Sequence, residues 1–152
     1  MNHEPDSDAT TSEKAATDNT AAKESDFWGG PDVVICSYSR AQAIADGVLI
    51  DASKLASEAG FRYPVALTSA AWRTCVEVPP ADKTHDQVGR LWDVLNVLRF
   101  AIKCGAPGAD TIYFCVDVAD ENEVITTVRL KSICGPGDDA APVVTITLPD
   151  ED

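Results

Sequence analysis

From Asp86 to Lys103 apolar residues recur at helical spacing around most of a circle, and this segment limits the possible folds more than any other. Val88, Leu91, Trp92, Leu95, Leu98 and Ile102 fall on one face, and Val94, Val97 and Ala101 widen it. The remaining stripe is narrow and polar: Arg90, Asp93, Asn96, Arg99 and Lys103. A helix with so wide an apolar arc needs other elements to cover it. It is therefore expected at the centre of the molecule, buried on most sides, with Trp92 among the most buried residues and Gly105 ending it.

The C-terminal third supplies a cover, because its period changes from near 3.6 to 2. "TIYFCVDV" alternates Ile112, Phe114, Val116 and Val118 against Tyr113, Cys115 and Asp117. "VITTVRLKSIC" follows, then "PVVTITLP" with Val144, Ile146 and Leu148 on one face. Turn-rich "ADENE" and "GPGDDAAP" separate the three runs, which read as an antiparallel meander packed on the long helix.

The N-terminal half is dense in local signals. "VVIC", Val33 to Cys36, has the β-branched content of a buried strand. Ser39 followed by Gln42 is a capping box, which opens a short helix from Arg40 that Gly47 can close in the left-handed conformation. Asp51 can cap a second short helix with Ala52, Leu55, Ala56 and Ala59 on one face, stopped at Gly60. Pro64 forces Tyr63 out of helix, and Thr68 starts a third helix that Pro79 and Pro80 close. The expected fold class is α+β: a single domain over 31–149, with short helices and one strand before the long helix and three strands after it.

The net charge is −13, and its location matters more than its size. Residues 1–30 hold seven acids and two bases, and residues 138–152 hold five acids and no base. The chain between them is close to neutral. Residues 1–30 are rich in Ala, Thr, Ser, Asp and Glu, with no aromatic before Phe27, so a disordered acidic tail is expected there, and an acidic end at 150–152. Such a charge repels phosphates, so direct nucleic acid binding is not expected. No apolar run has the length of a membrane span, and the N-terminus lacks a secretory h-region, which makes the cytoplasm the expected location. The five cysteines form no Cys-x-x-Cys pair; all are expected as thiols acting as small core hydrophobes, with no metal site.

Chemistry is sparse. His85 precedes the long helix and reads as a solvated loop residue without a nucleophile beside it. "GPGDD", Gly135 to Asp139, resembles a phosphate loop, but a strand follows it and two aspartates oppose a phosphate, so a hairpin turn is expected. Two binding candidates remain. Arg90, Asp93, Asn96 and Arg99 form the polar stripe of the long helix, with Arg90 and Asp93 spaced for an ion pair. Tyr38 and Arg40 stand where a strand ends and a helix begins, a frequent place for sites. No catalytic residue and no cofactor is assigned.

Two resemblances add context. "YSRAQAIADGVLID", "GFRYPVALTSAAW", "GRLWDVLNVLRFAI" and "VRLKSICGPGDDAAPVVTITLP" together resemble an uncharacterised family of small proteins carried on plasmids, integrative elements and phages. That resemblance implies a non-enzymatic accessory protein of a mobile genetic element, acting by binding a host protein such as a defence component. "ICSYSRAQAIADGVL" is similar in layout to the opening of ADP-ribosyltransferase-like folds, with Ser37 where the NAD-binding histidine of those enzymes would stand. It implies the alternative, a degenerate nucleotide-handling enzyme in which Tyr38 stacks on a ring and Arg40 supplies charge.

Overall fold

The computed structural model describes residues 38–151. The expected acidic tail and the expected strand at Val33 to Cys36 lie outside those residues. Within them the element order is α1 (Arg40–Ala45), β1 (Leu49–Asp51), α2 (Ser53–Glu58), β2 (Val65–Thr68), α3 (Ser69–Cys75), α4 (Gln87–Cys104), β3 (Thr111–Ala119), β4 (Ile125–Pro136) and β5 (Pro142–Thr147). The fold is α+β.

The three C-terminal strands are not a sheet of their own. They form one side of a five-stranded mixed sheet of order β1-β2-β5-β4-β3, in which β2 runs parallel to β5 and every other pair is antiparallel. Val65 and Leu67 stand opposite Val144 and Ile146, which places four apolar side chains side by side on one face. β1 and β2 are short, and "VAL" is apolar throughout. A run of that kind has no alternation to mark it as a strand. Its pairing with a strand almost eighty residues later is a tertiary fact.

The local punctuation is present as spaced in the sequence. Ser39 Oγ accepts from the Gln42 N–H at 3.0 Å while the Gln42 side chain accepts from the Ser39 N–H, closing the capping box. Gly47 follows α1 at φ +77°, a region costly to a residue with a Cβ. Thr68 Oγ1 accepts from the Ala71 N–H and caps α3, but α2 has Ala52 at its N-cap with no side-chain cap, and the expected cap Asp51 stands one residue earlier, accepting from the Ser53 N–H. Asp86 Oδ1 accepts from the Gly89 N–H at 2.9 Å and caps α4.

α4 is buried along one side only, which corrects the expectation of burial on most sides. Leu91, Val94, Leu95 and Leu98 are the buried positions, whereas Val88 and Ile102 are exposed and Trp92 is half-buried. The reason is geometric. The sheet offers one surface, and a single helix on one surface can bury only about a third to a half of its circumference. The remaining core comes from Ala52, Ala56 and Ala59 of the α2 segment, Ala71 and Cys75 of α3, and Phe114, Val116, Leu130, Val144 and Ile146 of the sheet.

Among the four described cysteines, Cys75 alone is fully buried, and burial pushes its thiol up to about 11. Cys134 is half-buried against the core, whereas Cys104 and Cys115 are exposed, so the expectation that all are core residues fails for these two. Cys115 alternates away from Phe114 and Val116, onto the face that α4 leaves uncovered. All four are free thiols. No helix of the described residues is long and apolar enough to cross a membrane.

Candidate functional site

The corner at Tyr38 and Arg40 is built by three segments. Arg40 opens α1, and its guanidinium crosses to β5, donating to Thr145 Oγ1 at 2.7 Å and to the Val144 carbonyl at 3.0 Å. Burial of the guanidinium lowers its pKa, while Asp51 and Asp138 act in the opposite direction. Asp138, from the β4–β5 turn, accepts from the Arg40 N–H at 2.7 Å and the Ala41 N–H at 3.0 Å. The two amides that a phosphate would use are thus spent on a carboxylate of the same chain. "GPGDD" is part of a hairpin turn and also the lock on the first turn of α1. Tyr38 is exposed, and its hydroxyl donates to Asp46 at 2.9 Å, an interaction that raises its pKa.

The four polar residues of α4 do not form one stripe. Arg90 and Arg99 are nine residues apart, two and a half turns, so they leave the helix on opposite flanks. Arg90 lies beneath the loop before α4. It donates to the Glu77 carbonyl at 3.0 Å and to the Ala119 carbonyl at 2.6 Å, with Asp82 at 3.5 Å. Its expected pairing with Asp93 is absent, because its guanidinium is drawn inward by these acceptors; Asp93 is exposed. Asn96 is exposed on the outer face. Arg99, on the other flank, lies against Gly60, with its guanidinium carbon 3.4 Å from the place a Cβ would take there.

Beside Arg90, Asp82 and His85 form a small polar knot that spacing alone did not reveal. The Asp82 side chain is 1% exposed and accepts from the Thr84 and His85 amides and from His85 Nδ1 at 2.8 Å. His85 is therefore an anchored residue and not a freely solvated one. These hydrogen bonds, the Thr84 amide first, hold the Asp82 carboxyl below its usual range. The Ala41 and Arg40 amides do the same for Asp138.

A pH dependence follows with a definite sign. Both carboxyls have lower pKa values folded than unfolded, so each stabilises the fold fully above the ordinary aspartate value near 4. That contribution is lost as pH falls through the depressed folded values. Urea unfolding carried from neutral pH to about pH 3 is expected to show a steep loss of stability. Asp138→Asn should start less stable and lose less over the same range. An equally steep loss in Asp138→Asn would remove the Asp138 contribution.

Among the described residues no cluster of three or more His, Cys, Asp or Glu is arranged to hold a metal ion. The side chains of Tyr38 and Arg40 turn to different partners, Asp46 and β5 respectively, and Arg90 and Arg99 are separated by the body of α4. Phe100 escapes the periodic pattern because it lies outside the apolar arc, yet it is 69% exposed on the outer face beside Asn96. No curated protein and no solved structure matches the chain. A family model does match, over residues 25–152, a range that contains every element from α1 to β5. The chain belongs to the family of unknown function DUF6573.

Proposed function

We propose that the protein is a non-enzymatic accessory protein of a mobile genetic element that acts by binding a host protein, a defence component being the partner class this setting suggests. The observation that carries the reading is the outer face of α4. Trp92, Asn96 and Phe100 follow one another at four-residue intervals and so share one line along the helix. Trp92 is half-buried and Phe100 is 69% exposed. An aromatic held in water on a rigid helix loses solvation free energy that a partner can recover, and large aromatics dominate binding hot spots. Asp93 flanks the line and would set register with a polar rim.

The alternative, a degenerate ADP-ribosyltransferase-like or other nucleotide-handling enzyme, needs the corner at Tyr38 and Arg40 to be free for a ligand. Asp138 and β5 already engage both the amides and the guanidinium there.

The test is affinity capture from host extract with the intact chain and with Phe100→Asp, an exposed change expected to leave the melting temperature within a few degrees. A partner retained by the parent and depleted at least about tenfold by Phe100→Asp is the expected result. Equal retention of every captured protein would remove the α4 surface from the reading. A melting shift with NAD that Arg40→Ala abolishes would favour the alternative.

A further inference from the structure

A concavity lies on the Arg99 flank of α4, between the turn from α2 into β2, the last turns of α4, and the strands β3 and β4. It encloses about 410 Å³, a size suited to a small organic ligand. Phe61 and Tyr63 line one wall, and Ile102 and Ile112 the other. Ser132, 4% exposed, lines it too and places a hydroxyl among these apolar side chains.

The charges around this cavity oppose those of the chain as a whole. Arg62, Arg99 and Lys103 stand around it with one acid, Asp110, in a chain of net charge −13. None of the three cations forms an ion pair among the described residues. Lys103 has a local explanation, since a cation in the last turn of a helix favours its dipole. Arg99 does not. Its guanidinium carbon lies 3.4 Å from the place a Cβ would take at Gly60, an ordinary van der Waals contact beside the cavity.

We propose that this cavity binds a small organic anion with an aromatic or apolar body. The body would lie between Phe61, Tyr63 and Ile112, and a carboxylate, sulfonate or phosphate would meet Arg99 and Lys103. Ser132, which also lines the cavity, would offer its hydroxyl to the bound molecule. A small monoanion suits the cavity better than an acidic macromolecule, which the net charge of the chain would repel. The site is independent of the outer face of α4.

The test uses the full chain and anilinonaphthalene sulfonate as the fluorescent probe, with indole acetate and the neutral, near-isosteric indole acetamide as competitors. Saturable one-site binding is expected, displaced by the acetate and at least about tenfold less well by the acetamide. Arg99→Glu combined with Lys103→Glu should weaken the probe at least about tenfold, and the milder Arg99→Gln should weaken it in the same direction. Phe100→Asp, outside the cavity, should leave it unchanged. Equal displacement by the two indoles, an unchanged affinity in both Arg99 variants, or no saturable binding would each overturn the proposal. Displacement only by an acidic peptide would also overturn it, in favour of a macromolecular ligand.

Discussion

Arg90→Ala is expected to lower stability by about 3 kcal/mol, although the position reads as the edge of a polar stripe. The side chain is 12% exposed and its two terminal nitrogens join elements far apart in sequence, donating to Glu77 before α4 and Ala119 at the end of β3. Truncation leaves the part-buried Ala119 carbonyl unpaired, at about 1–2 kcal/mol, and removes the packed aliphatic stem at about 1 kcal/mol more, while water can replace the donor at the exposed Glu77 carbonyl. Asp82 loses its nearby cation as well. Lysine should recover about half the loss at most, because one ammonium replaces a planar fork that reaches two carbonyls at once. The urea midpoint at unchanged m-value measures the effect. Amide exchange in the β3–β4 turn should rise with it, and a loss below about 1 kcal/mol would show that water replaces the guanidinium without penalty.

The second large effect is expected at Leu95, where truncation to alanine should cost about 3 kcal/mol, within the range of fully buried leucines. Leu95 is 0% exposed and belongs to the cluster that α4 shares with the sheet. Trp92→Ala should cost only about 1 kcal/mol, because the indole packs on the cluster from its margin and keeps part of its surface in water. Asn96→Ala, at an exposed position, should stay under about 0.5 kcal/mol. Helical periodicity alone would reverse the first two, since tryptophan is the largest apolar residue on the predicted face. Parallel urea titrations of the three variants separate these readings, and a Trp92→Ala loss larger than that of Leu95→Ala would contradict the packing described.

Some of this protein is determined by residues close together in the chain, and those parts are legible without coordinates. The Ser39–Gln42 capping box, the left-handed Gly47, the caps at Thr68 and Asp86, and the extent of α4 all rest on hydrogen bonds or steric limits within a few residues. The alternation of Phe114 with Cys115 and of Val144 with Thr145 likewise marks which side chains face inward. Tertiary structure decided what each pattern faces. Whether "VAL" becomes a strand depends on β5 lying parallel to it, and how much of α4 is buried depends on one sheet surface being available. The site residues divide in the same way. Arg40 and Tyr38 are neighbours in sequence, yet one reaches β5 and the other Asp46, while Arg90 and Arg99 are parted by the turn of the helix between them. Arg62, Arg99 and Ser132 line one cavity only because the α2–β2 turn, α4 and β4 converge. Local geometry acts over a few bonds, whereas the assignment of a charge to a core strut or an open cavity depends on distant segments that no short window contains.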